Sequence, residues 1–158
     1  MTPDDTAADC FVCRKHRDHG SLIPGGPVAQ DDLVLVSHGS PDAPGSKRPD
    51  IYLGHLFVEP WRHAPGLADL TDAEARAVGG WCTRASRALI EVAGAEHVYA
   101  AVIGDAVPHL HVHLIPRYPG TPAEYRWMRV TDWPQAPRGG HAEIEVLVGR
   151  LRDYVAGS

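Results

Sequence analysis

Pro108-His109-Leu110-His111-Val112-His113-Leu114-Ile115-Pro116 is the stretch on which the reading of this 158-residue chain turns. Apolar and imidazole side chains alternate with the two-residue period of a β-strand. Leu110, Val112 and Leu114 are therefore expected to enter a core, while His109, His111 and His113 line the opposite face about 7 Å apart. Neutral imidazole is both a nucleophile and a metal ligand near neutral pH, so a row of three can share a metal or divide the work.

Working outward, His97 to Ile103 reads as the preceding strand, joined through Gly104-Asp105, and Pro116 is expected to end the histidine strand. Upstream, Ile51 to Val58 is almost wholly apolar and reads as one strand interrupted by His55, with Asp32 to Val36 as another. Between them residues 39–50, rich in Pro, Gly and Ser, read as a surface loop. Thr71-Asp72-Ala73-Glu74 has the spacing of a capping box. Behind it Val78, Trp81, Ala85, Leu89 and Val92 recur at helical intervals until Gly94. Gly79 and Gly80 each disfavour that helix by about 1 kcal/mol, which points to close packing there, and Cys82 beside Trp81 reads as a buried thiol. Residues 117–140 show no period and form an irregular arm. Ile144, Leu147, Val148, Leu151 and Val155 mark a C-terminal helix over residues 141–156. Residues 1–9 read as a frayed tail, and Cys10 to His19 as a compact turn dense in Cys, His, Arg and Lys. The whole, residues 1–158, is read as a single α+β domain of antiparallel sheet and two main helices.

The net charge is −5 and the sequence pI about 6.0. The cations are scattered, which disfavours duplex nucleic acid as a partner. No stretch of 18 apolar residues offers a membrane span, and the acidic, polar start lacks the basic and apolar regions of a signal peptide. A cytoplasmic protein is expected. Of the three cysteines, Cys10 and Cys13 form a C-x-x-C pair, which in a reducing compartment suggests a metal before a bridge. A closed zinc site takes four ligands. A local completion uses His16 and His19; a long-range one uses His63 and His109. A redox role for the pair is weaker, because an acidic tail rather than an apolar strand precedes it.

Taken together, Cys10-x-x-Cys13, Gly54-His55-Leu56-Phe57-Val58-Glu59-Pro60 with His63 eight residues beyond His55, and His109-x-His111-x-His113 before Leu114-Ile115-Pro116-Arg117 resemble the zinc-carrying branch of the histidine triad (HIT) family of nucleotide hydrolases and transferases. The resemblance implies that His111 is the nucleophile, attacking a nucleotide α-phosphorus to form a nucleotidyl-histidine that water then cleaves. It implies a structural zinc held by Cys10, Cys13, His63 and His109. It makes His113 and His55 partners of the phosphate oxygens, with Arg117 as a further phosphate contact. It also implies a homodimer whose sheets join, and a small nucleotide as substrate: a phosphoramidate or a dinucleoside polyphosphate.

The chain departs from the family in the pocket rather than at the nucleophile. Many relatives hold the ribose with an acidic residue at the end of the early strand, where this chain reads Val36-Ser37-His38-Gly39; Ser37, His38 and Asp42 are candidate replacements. Relatives commonly carry an Asn before the turn and a Gly-Gln pair before the triad, where this chain reads Ala101-Val102-Ile103-Gly104-Asp105-Ala106-Val107-Pro108. The arm, with Tyr125, Arg126, Trp127, Arg129, Trp133 and Arg138, reads either as a substrate contact or as packing across a dimer interface. Two other functions fit the residues: a nucleotide-binding or zinc-stabilised interaction module without turnover, and a metal-dependent hydrolase with the triad as metal ligands.

Overall fold

The histidine segment runs into an interior strand of a five-stranded antiparallel sheet. In the computed structural model, which describes residues 7–158, the elements are α1 (Phe11–Asp18), β1 (Ala29–Gln30), β2 (Val34–His38), β3 (Ile51–Tyr52), β4 (Leu56–Pro60), α2 (Asp72–Ala93), β5 (His97–Ala101), β6 (Val112–Arg117), β7 (Arg138–Gly139) and α3 (His141–Gly157). The sheet runs β1-β2-β4-β6-β5, and β3 pairs with β7 in a separate ribbon. All pairings are antiparallel, as the α+β reading requires.

Register separates the two faces. Leu56 pairs with Leu114, Phe57 with His113 and Val58 with Val112. Val34, Val36, Leu56, Val58, Val112 and Leu114 therefore share one face and pack beneath α2 and α3 against Val78, Trp81, Leu89, Ile144 and Leu151. Each such fully buried side chain contributes about 1.5–3 kcal/mol. The capping box is present: the Thr71 hydroxyl accepts from the Glu74 N–H at 3.2 Å, and the Glu74 carboxylate accepts from the Thr71 N–H at 2.8 Å. Gly94 closes α2 in the left-handed region. Gly79 and Gly80, by contrast, are exposed with no atom within 4 Å of an added Cβ, so nothing packs closely there. Cys82 is half-buried against the core, and burial pushes its thiol up to about 11, away from reactivity.

The structure departs from the sequence pattern in several places. The Cys10 to His19 turn is a helix, α1; its inward residues are Val12, Lys15 and His16, and two polar residues in that stripe hide the apolar period. The Ile51 to Val58 strand breaks at Gly54, where φ is +87° and a Cβ would lie 2.5 Å from Tyr118 Oη and 2.8 Å from Pro116 Cγ. Tyr52 and Leu56 thereby enter different sheets. Pro116 does not end its strand but pairs with Val98 inside β6. The β4 ladder has already stopped at Leu114, so no N–H is needed on that side, and the Pro116 carbonyl accepts the Tyr52 hydroxyl at 2.7 Å. The early strand is Val34–His38, because the Asp31 carboxylate takes the Leu33 and Val34 N–H groups into a turn. Regular pairing in β6 begins at Val112 rather than His109, and β5 stops at Ala101.

Residues 1–6 of the expected tail lie outside the described residues, and 7–9 are helical. Within 39–50, Gly39, Ser40 and Pro41 are buried and the remainder is largely exposed. The arm holds a 3-10 helix, Trp127–Asp132, and β7; its Val130 and Ala136 pack on Tyr52 and Ile115. It thus covers the Ile115 end of the sheet's second face, while Lys15 of α1 reaches Ser37 and Glu59 at the other end. His111, His113 and Phe57 lie between the two covers.

Candidate functional site

His111 and His113 leave the same face of the sheet, their rings 5.0 Å apart and both set against Phe57. His111 Nδ1 lies 2.6 Å from the His109 carbonyl. A carbonyl only accepts, so Nδ1 carries the proton, and in the neutral ring Nε2 keeps its lone pair. His113 Nδ1 lies 3.0 Å from His55 Nε2. Burial pushes both rings below the ordinary imidazole range, His55 to about 3 and His113 to about 4, and each is further lowered by neighbouring imidazoles. A neutral donor and a neutral acceptor therefore share that bond.

His55 is aimed by the Gly54 turn, which His38 pins. The fully buried His38 donates from Nδ1 to the Gly39 carbonyl at 2.7 Å and accepts the Gly54 N–H on Nε2 at 2.8 Å. Burial pushes His38 down to about 4, so it stays neutral. With both nitrogens engaged it has no hydrogen bond left for a ribose. Ser37 is fully buried and accepts from Lys15 Nζ at 3.3 Å, and the exposed Asp42 pairs with His141 at 3.2 Å. Arg117 is likewise committed: its guanidinium donates to Glu96 at 2.8 Å and to the Tyr125 and Thr121 carbonyls, tying the arm to β6 rather than joining the triad.

The cysteine pair and the long-range histidines do come together. One donor atom each from Cys10, Cys13, His63 and His109 lies within 4.8 Å of all the others. Cys13 Sγ is 3.4 Å from both His63 Nδ1 and His109 Nδ1, and Cys10 Sγ is 3.7 Å from His109 Nδ1. Zinc bonds of about 2.3 Å to sulfur and 2.0 Å to nitrogen, set tetrahedrally, give S···N edges of about 3.5 Å, so the residues fit that ion. His109 Nε2 donates to the Pro60 carbonyl at 2.9 Å, which leaves Nδ1 as the ligand atom. Burial and then the neighbouring Cys10 push the Cys13 thiol up to about 11, and a bound cation reverses that preference by stabilising the thiolate. His16 of the local alternative points elsewhere, to Glu59 Oε2 at 3.0 Å. Of the triad only His109 belongs to the cluster.

A cleft of about 160 Å³ opens beside His111 and His113, lined by Phe11, Val12, Leu22, Ala43, Phe57 and Val107. Lys15 and Glu59 also line it, and neither was singled out from sequence. Glu59 is 1% exposed and Lys15 5%, with Lys15 Nζ donating to Glu59 Oε1 at 2.7 Å. Burial pushes the Glu59 carboxyl up, but the Lys15 ammonium and the His16 hydrogen bond outweigh it and hold the group at about 2. The available signal was a carboxylate inside Leu56-Phe57-Val58-Glu59-Pro60, where a buried charge requires a partner from elsewhere.

A family model described as HIT domain matches residues 28–120. The chain is 33% identical over 73 residues to an AP-4-A phosphorylase of Mycobacterium tuberculosis, an alignment covering 42% of this chain and 37% of that protein. The chain therefore spans well under two thirds of that relative. Among solved structures, a Zn-bound histidine triad family protein from Mycobacterium smegmatis superposes with a TM-score of 0.65 at 20% identity, covering 96% of each chain. A histidine triad nucleotide-binding protein described as hypothetical, from Sulfolobus tokodaii, gives 0.68 at 17% identity, covering 94% of this chain and 93% of that one.

Proposed function

The chain belongs to the HIT domain family, and from that premise we propose that it cleaves nucleoside phosphoramidates or dinucleoside polyphosphates, or transfers their nucleotidyl group, through His111. The observation that carries this reading is the 2.6 Å bond from His111 Nδ1 to the His109 carbonyl, which leaves Nε2 as a free nucleophile at the cleft. The Nε2 lone pair forms a bond to the α-phosphorus, while the bond from phosphorus to the leaving oxygen or nitrogen breaks with its electron pair. The leaving group then takes a proton from solvent or a neighbouring imidazole. Water attacks the same phosphorus in the second step and releases the nucleoside monophosphate, restoring His111. With His55 Nε2–H donating to His113 Nδ1, His113 presents its own Nε2–H to the phosphate oxygens.

Cys10, Cys13, His63 and His109 would hold a zinc ion. With four protein ligands it supplies structure and no open coordination position. It ties α1 to the turn after β4 and to the residue two before His111. Such a thiol cluster suits a reducing cytoplasm, and no helix among the described residues is long and apolar enough to cross a membrane. The free edge of β5, followed by the exposed Val102 and Ile103, is where a second copy would extend the sheet into a homodimer; light scattering of the purified protein checks the mass. The test of the chemistry is monophosphate release from adenosine and guanosine phosphoramidates and dinucleoside polyphosphates by the wild type beside His111→Ala. Release by the first and none by the second supports the nucleophile. Binding without release by a folded wild type replaces the enzyme with a nucleotide-binding module.

A further inference from the structure

Lys15 and Glu59 line a cleft that is apolar over most of its wall, with His38, Ser40, His111 and His113 as its other polar residues. Phe11, Val12, Leu22, Ala43, Phe57 and Val107 supply its apolar lining, and the ion pair adds charged groups to it. A buried ion pair is weak evidence for stability, since an apolar pair of similar volume often does as well or better. Its presence against a cleft therefore needs another reason. The position of α1 does not depend on the pair alone, because Cys10 and Cys13 at the start of that helix also lie against His63 and His109, where a bound ion would join them.

The bonding of the pair is also incomplete. Lys15 Nζ donates to Glu59 Oε1 and Ser37 Oγ, which accounts for two of its three N–H groups. Each Glu59 oxygen accepts one bond, from Lys15 and from His16, and keeps a second lone-pair site. A cationic donor and an anionic acceptor 2.7 Å apart match a ring edge that carries an acceptor next to a donor. Lactam edges (a carbonyl beside a ring N–H) and amidine edges (a ring nitrogen beside an amino group) share that chemistry.

We propose that Lys15 and Glu59 are specificity-determining residues that read the hydrogen-bonding edge of a planar heterocyclic base held in this cleft. This rests on the proposed nucleotide chemistry of His111, which lines the same cleft, and deepens it by stating what selects the base.

The full-length protein, its Lys15→Met/Glu59→Leu double variant and Glu59→Gln are compared on 5′-phosphoramidates of guanosine, inosine, adenosine and purine riboside, the last lacking both exocyclic groups. Binding of the matching monophosphates is measured in parallel by calorimetry. The wild type should favour one edge class over purine riboside by about tenfold to a hundredfold, the discrimination of a well-placed bidentate contact. Lactam over amidine, or the reverse, identifies which edge is read. In the double variant the preference should fall to about threefold or less, and Glu59→Gln, which turns an acceptor into a mixed group, should change the ranking. A purely structural pair would lower every substrate alike and keep the ratios; that result, or a wild type without preference, overturns the proposal. If the double variant fails to fold, judged by zinc content and near-ultraviolet dichroism, Glu59→Gln carries the test. Monophosphates bound with the expected preference but no phosphoramidate cleaved would sink the hydrolytic reading and leave this inference standing. Cleavage without preference would do the opposite.

Discussion

The two faces of the sheet are made by the same strands and obey different rules. Beneath α2 and α3 the face is Val34, Val36, Leu56, Val58, Val112 and Leu114, all apolar and all buried. One residue along each strand, the other face carries Ser37, Phe57, Glu59 and His113 beside the apolar Leu35 and Ile115, with His111 just before β6, and its covers bring Lys15, His16 and the Cys10, Cys13, His63 and His109 cluster. The first face is paired with helices whose residues need only fit. The second is full of groups that require a specified partner, because an unpaired buried charge or imidazole is strongly unfavourable. The first face contributes apolar burial alone, whereas the second combines the candidate chemistry with a smaller apolar cluster around Tyr52 and Ile115.

That division can be broken by experiment. His111→Ala should lower monophosphate release by about 10³-fold or more, as loss of a covalent nucleophile does, while metal analysis still finds about one zinc per chain. Loss of zinc with activity would instead make His111 a ligand and dissolve the boundary between the triad and the metal centre. His63→Ala should lose the zinc and, with it, several kcal/mol of stability, because metal binding is linked to folding; a chelator should reproduce the drop in melting temperature in the wild type and add little to the variant. Leu114→Ala, on the helix-covered face, should cost about 2–5 kcal/mol in denaturant unfolding and leave KM unchanged in the folded fraction. A changed KM would show the faces to be coupled through β6.

The smaller effects sharpen the same contrast. His38 is held neutral, with a folded-state value near 4, below the ordinary value of 6.5 that it regains on unfolding. The unfolded chain therefore binds the extra proton between those limits. The His38 contribution is complete above about pH 6.5 and is lost as pH falls through 4, an effect on the order of 3 kcal/mol. Melting temperature against pH should be steeper there for the wild type than for His38→Gln. Thr71→Ala removes one cap of α2 and should cost about 1 kcal/mol with activity intact. A larger loss would mean that the Arg62 and Glu74 pair, whose carboxylate the cap shares, also holds the turn carrying His63.

Legibility followed the same line. The capping box, the period of α2 and α3, and the alternation through Leu110, Val112 and Leu114 were readable because burial against a neighbouring layer imposes a period on consecutive residues. The helix α1 was not: its inward face is Val12, Lys15 and His16, and a stripe built from an ion pair has no hydrophobic period to detect. Gly54 and Pro116 misled for a related reason. The break at one and the continuity through the other are settled by Tyr118, Tyr52 and the end of the β4 ladder, all distant in sequence.

By itself the sequence determined the α+β class, the histidine row and the set of residues able to hold zinc, since these depend on residue type and local spacing. Only the tertiary structure decided which histidines joined Cys10 and Cys13, that Arg117 serves the arm, that His38 is closed to ligands, and that Lys15 meets Glu59 in the cleft. Each of those is a contact between separate segments, and a buried polar group's role is set by the one partner that folding brings within hydrogen-bonding distance.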